Sequence, residues 1–121
     1  MRIEFNEEKK VITISTPGKN TVEISDDDKH IKLTDQNKNE IVMNSSGISL
    51  SSAKDITLKA KGAITIEATS KINATAKQDV SLEGLNVKME AKVSATVKGN
   101  AKAELLASGQ TTVKGAMVMI N

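Results

Sequence analysis

A chain of 121 residues is long enough for one ordinary domain, but this one has a single aromatic side chain, Phe5, and no cysteine. Cores of single chains lean on aromatic rings, each burying roughly 150–250 Å², so their near absence argues against a conventional self-contained sandwich or barrel. Excluded are a disulfide framework, a thiolate metal site and a ring-stacking platform for single-stranded nucleic acid. The formal net charge of +2 implies no anionic partner: residues 1–47 carry seven Lys/Arg against nine Asp/Glu, and residues 48–121 ten against six. Those lysines are interspersed with acids on one parity, which reads as a solvated outer face and not a nucleic-acid stripe.

Residues 1–10 open with Ile3 and Phe5 in alternation, then Glu7-Glu8-Lys9-Lys10: a lead-in strand and turn. No apolar core of a secretory signal is present, and no run approaches the ~20 apolar residues of a membrane-spanning helix. Residues 11–47 form four irregular β-repeats. Ile12 and Ile14 lead into Thr16-Pro17-Gly18, Val22 and Ile24 into Ser25 and three aspartates, Ile31 and Leu33 into Asp35–Asn39, and Ile41 and Met43 into Asn44–Gly47. Each is a short strand followed by a turn-rich insert, the pattern of antiparallel hairpins or loose solenoid rungs.

From Ile48 the period tightens to eight: ISLSSAKD, ITLKAKGA, ITIEATSK, INATAKQD, VSLEG. Ile48, Ile56, Ile64, Ile72 and Val80 fill the first slot. Leu50, Leu58, Ile66, Ala74 and Leu82 fill the third, and Ser52, Ala60, Ala68, Ala76 and Gly84 the fifth. Side chains on a strand alternate faces, so these slots share one dry face while Thr57, Lys59, Thr65, Glu67, Thr75 and Glu83 share the wet one. A short fixed period dictates architecture and overrides local propensity.

After Gly84 the phase slips by one residue, and Leu85, Val87, Met89, Val93 and Val97 continue the dry parity on odd numbers. A slip inverts every side chain unless absorbed locally, so we expect a bulge beside Gly84. The strict alternation excludes a helix over 88–107 despite its Ala, Lys and Glu content. In the closing stretch Gly115, Ala116, Met117, Val118, Met119, Ile120 and Asn121, residues 116–120 are apolar on both parities, as in a strand buried on both faces or awaiting another protein.

An octad is at most ~27 Å of extended chain at ~3.3 Å per residue, too short to encircle a filled core alone. A core of two branched slots and one small slot closes when identical chains wind about a common axis. The expected number is three, with the edges of each chain paired by its neighbours. Ile48, Leu50, Ile56, Leu58, Ile64, Ile66, Ile72, Val80, Leu82, Val87, Met89, Val93 and Val97 are the predicted trimer core. The fold class is all-β, an intertwined triple-stranded β-helix over 48–115 formed by a homotrimer, with 116–121 as an apolar blunt tip.

The octads, the phase slip and the terminal run ASGQTTVKGAMVMIN resemble the C-terminal β-helical needle of VgrG spike proteins of type VI secretion systems. They also resemble the related central puncturing spike of T4-type phages. The stretch ITISTPGKNTVEISDDDKHIKLTDQNKNEIVM is similar to the start of that needle, so the likeness spans about residues 11–121. It implies a rigid trimeric needle at the front of an injected tube, with a PAAR-repeat protein docked on residues 115–121. It further implies a hub and OB-fold domain upstream, assembly in the cytoplasm, then injection across a target envelope with transient membrane contact. The hub portions are not in this sequence, which points to a piece of a longer spike or a shortened paralogue. The octads lack the regular glycine of the phage version.

Chemistry is sparse. His30 is the only histidine, and although three copies on an axis could ligate a metal, its parity turns it outward, so no metal is expected. Asp26-Asp27-Asp28 lacks calcium-loop spacing and reads as a solvated turn. Lys54 and Gln78 fall on the dry parity beside octad corners, where they escape outward. Glu67 and Glu83 share a face without a pocket, and no phosphate loop or nucleophile–base pair occurs, so no cofactor and no enzymatic activity are expected. A secreted β-repeat adhesin or functional amyloid is the alternative, separable by open fibres that bind amyloid dyes.

Overall fold

The computed structural model describes every residue from Met1 to Asn121, in two units, Met1–Glu67 and Ala68–Asn121. The first begins with six five-residue strands: β1 (Arg2–Asn6), β2 (Val11–Ser15), β3 (Thr21–Ser25), β4 (His30–Thr34), β5 (Glu40–Asn44) and β6 (Gly47–Ser51). They form one antiparallel sheet in sequence order. The apolar pairs predicted from alternation each lie within a strand, and the hairpin alternative describes the region where loose rungs do not.

Register explains why the alternation works. Phe5, Ile12, Ile24, Ile31, Met43 and Ile48 pair across successive strands into one row. Ile3, Ile14, Val22, Leu33, Ile41 and Leu50 form a second. Both rows belong to one face, and cross-strand aliphatic pairs stabilise the sheet locally. Ile48 and Leu50, grouped by period with the octads, instead close the meander as β6 opposite Met43 and Ile41. The cause is local: Ser46 N–H donates to Asn44 Oδ1, and Gly47 at φ +120° turns the chain back within two residues.

The first four turns share one device. Lys10, Lys19, Lys29 and Lys38 all have positive φ (54°, 68°, 53° and 70°), a region that L-residues seldom adopt. Lys10 and Lys29, and Lys19 and Lys38, recur at a spacing of 19 residues, the length of one hairpin repeat. Thr16–Asn20 and Asp35–Asn39 are the corresponding loops, each closed by a main-chain bond from its first N–H to its last carbonyl (3.0 and 3.1 Å). Asn20 Oδ1 accepts from Gln36 N–H at 2.9 Å, and Asn39 Oδ1 accepts from Ala53 N–H at 2.9 Å, tying each loop to the next.

Beyond β6 no further strand forms within the chain. Extended segments alternate with bends at 53–54, 61–62, 69–70, 77–78, 85, 92–93, 100–101, 108–109 and 116–117. Between bends lie six-residue stretches such as Ala63–Ala68, and the period of eight runs on to the end of the chain. It is broken once: the corner at Leu85 has one residue where the others have two. The phase slip is therefore a missing corner residue, not the extra residue of a bulge. Gly84 sits just before it, where an added Cβ would lie 3.2 Å from the Asn86 carbonyl.

Candidate functional site: the assembly surface and the C-terminal tip

No hydrophobic side chain is buried; the sole buried residue is Ser25, at 2% exposure, whose Oγ accepts from Asp28 N–H. The chain exposes 12540 Å², about twice the roughly 6,300 Å² expected of a compact protein of this mass. The difference far exceeds the roughly 800 Å² per partner of a standard interface and is of obligate-assembly size. Patches of this extent mark surfaces meant to be covered.

The two faces of the sheet differ sharply. On the polar face, side chains bond to each other: His30 Nε2 lies 2.6 Å from Glu23 Oε2, and Lys32 Nζ 3.4 Å from Glu40 Oε2. His30 thus points to the polar face, as its parity predicts, and engages Glu23. Asp35 anchors its loop, accepting from Asn39 N–H at 2.8 Å and Asn37 N–H at 2.9 Å. The Asn39 amide, foremost, holds the carboxyl below its ordinary value, against a smaller opposing effect of desolvation. On the opposite face the two aliphatic rows meet nothing. A shallow trough there, lined by Ile14, Val22, Leu33, Ile41 and Leu50, runs on to Ile56, the first dry residue after the sheet.

The octads expose a second surface. In the six-residue stretches from Asp55 to Ala107 the second and fourth positions carry the apolar side chains, among them Ile56 and Leu58, Ile64 and Ile66, Val80 and Leu82, Val87 and Met89. Ile72 and Val97 occupy the same slots, opposite Ala74 and Ala95. The sixth position is always Ala or Gly, from Ala60 through Gly99 to Gly115. A Cβ at Gly99 would collide with the Lys102 carbonyl, so that approach admits no side chain. Leu85 and Val93, both assigned to the dry parity, stand instead at corners with 100% and 97% exposure, against 49% for Ile64 to 80% for Val97 among the mid-segment dry residues. Lys54 and Gln78 likewise occupy bends.

The backbone gives the sharper evidence. From Ile56 to Asn121 no main-chain group bonds another within the chain. Folded proteins form roughly one internal hydrogen bond per residue, and backbone left this way offers its free groups for pairing with other strands. Ion pairs Lys88–Glu90 (3.0 Å) and Lys102–Glu104 (2.6 Å) lie along the wet parity. Being exposed, each is worth little.

At the tip, Gly115 precedes the bend Ala116–Met117, and Val118–Asn121 begin a final stretch. The octad frame puts Met119 in a dry slot. Val118 and Ile120 take the slots that earlier stretches fill with polar residues such as Lys102 and Glu104. The predicted tip residues are thus continuous in sequence but divided between the two faces. Nothing in the chain covers them: Met117, Val118, Met119 and Ile120 are all exposed.

Sequence comparison with characterised proteins gives no match. Comparison with protein families matches residues 11–121 to the phage baseplate V C-terminal trimerisation domain. A chain with uncovered aliphatic rows and an unpaired octad backbone thus finds its place: it belongs to the phage baseplate V C-terminal trimerisation domain family.

Proposed function

We propose that three copies of this chain wind into an intertwined triple-stranded β-helix that serves as the spike needle of a contractile injection machine. The observation that carries this reading is the unpaired backbone from Ile56 to Asn121, in a family named for trimerisation. Three parallel copies supply the missing main-chain partners and enclose the dry slots together. Stiffness then comes from continuous pairing between chains, which suits a part that transmits force through an envelope. The machine is of the phage-tail or type VI secretion kind, with hub, OB-fold domain and tube preceding this segment. The needle is assembled in the cytoplasm and then injected, touching the target membrane in passing. Its role is mechanical, without catalysis.

The apolar end docks a PAAR-repeat tip protein through Gly115–Asn121. Sedimentation equilibrium tests the assembly: the expected particle has three times the 12.9 kDa of the chain, and a well-folded monomer contradicts it. Val118→Asp and Ile120→Asp test the tip, with loss of PAAR-protein binding expected from an intact trimer. Unchanged binding removes the tip from the account.

A further inference from the structure

The corners of the octad segment are polar or small at Ala53-Lys54, Lys61-Gly62, Thr69-Ser70, Lys77-Gln78, Asn100-Ala101 and Ser108-Gly109. Three corners carry a large apolar side chain: Ala116-Met117 at the tip, and the two consecutive corners at Leu85 and Val93. Leu85 forms the one-residue corner alone, Val93 ends the next, and both are almost wholly exposed. Their side chains lie outside the dry slots, so enclosure of those slots does not shelter them.

We infer that Leu85 of one copy packs against Val93 of another, forming an apolar clasp along each edge of the trimer. The inference rests on the trimer reading and follows from its symmetry. With three chains each advancing one face per octad, every edge stacks successive corners taken in turn from different chains. A given corner therefore lies directly above or below the next corner of a neighbouring copy, one strand spacing of ~4.8 Å away. Leu85 thereby meets the bend 92–93 of a neighbour, and the occupant is a second copy of this chain. The flanking backbone on both sides of Leu85, from Glu83 to Met89, has no partner within its own chain, so it too is paired by other copies. The short corner occurs once, so an apolar pair placed there fixes register where the surrounding octads are nearly interchangeable.

Disulfide trapping tests this cleanly because the chain has no cysteine. A strand spacing falls inside the ~4.4–6.8 Å Cα separation that a disulfide accepts, and two spacings fall outside it. The variant carrying Leu85→Cys and Val93→Cys is oxidised mildly and run on a non-reducing denaturing gel, with sedimentation of the same sample alongside. Expected is conversion of most of the chain to covalent trimer. Leu85→Cys alone, Val93→Cys alone, and Leu85→Cys with Ala101→Cys should all remain single chains on the gel. A sample that sediments as a trimer yet shows no covalent trimer overturns the clasp and leaves the trimer reading intact. Trimer bands of equal strength from the Ala101→Cys pairing overturn it too. A sample whose unsubstituted parent sediments as a monomer overturns both.

Discussion

Two stretches of this chain solve the same problem in opposite ways. From Arg2 to Ser51 each strand finds its hydrogen-bonding partner in the next strand, and only the apolar face is left open. From Ile56 onward neither the backbone nor the dry side chains find partners in the chain, yet the segment holds a regular eight-residue course. Hairpin turns make the difference. The meander has local instructions for reversing direction, in Asx bonds and left-handed lysines, whereas the octad corners are bends that carry the chain onward. Local pairing belongs to the first stretch; the second, on the reading proposed above, borrows its pairing from other copies.

The largest effects should come from charging the dry slots. Ile64→Asp places a carboxylate where the proposed trimer brings three copies together, and we expect assembly to be lost, a cost above about 3 kcal/mol per chain. Thr65→Asp, one residue away on the wet parity, should assemble normally, and sedimentation of the pair measures the contrast. Next comes Gly99→Ala, whose Cβ meets the Lys102 carbonyl; a loss of about 1–3 kcal/mol is expected in thermal unfolding. Gly62→Ala, with nothing within 4 Å of the added methyl, should change stability by less than about 0.5 kcal/mol.

Smaller effects sharpen the meander side. Lys38→Gly relieves a left-handed backbone at φ 70° and should stabilise by up to about 1 kcal/mol, while Lys38→Val should destabilise by more than that. The smallest concerns acid. Asp35 titrates lower in the folded chain than in the unfolded one, so its contribution is present above the unfolded value near 3.8 and fades as pH falls through the folded value. Asp35→Ala should flatten the acid limb of the stability–pH curve slightly while leaving neutral-pH assembly unchanged.

Much of this was legible because period-two alternation leaves a direct mark on sequence. Ile12 and Ile14, and Ile31 and Leu33, all fall on the face that parity assigns. Other features write no such mark. Lysine is not favoured at positive φ, so nothing about Lys10, Lys19, Lys29 or Lys38 flags the turns they close. The Asn20 and Asn39 links join loops far apart in sequence, and Ile48 fits the octad period as well as it fits β6. Val93 shows the limit of parity itself: alternation holds along straight segments and loses meaning at a bend. The tip residues were visible by composition, but only the octad frame separates Met119 from Val118 and Ile120.

Hydrogen exchange resolved along the chain tests the borrowed-pairing claim most directly. The account predicts that amides between Ile56 and Asn121 exchange as slowly as those of the meander, although none has a partner in its own chain. Rapid exchange throughout that segment, with protection confined to Arg2–Ser51, would contradict it.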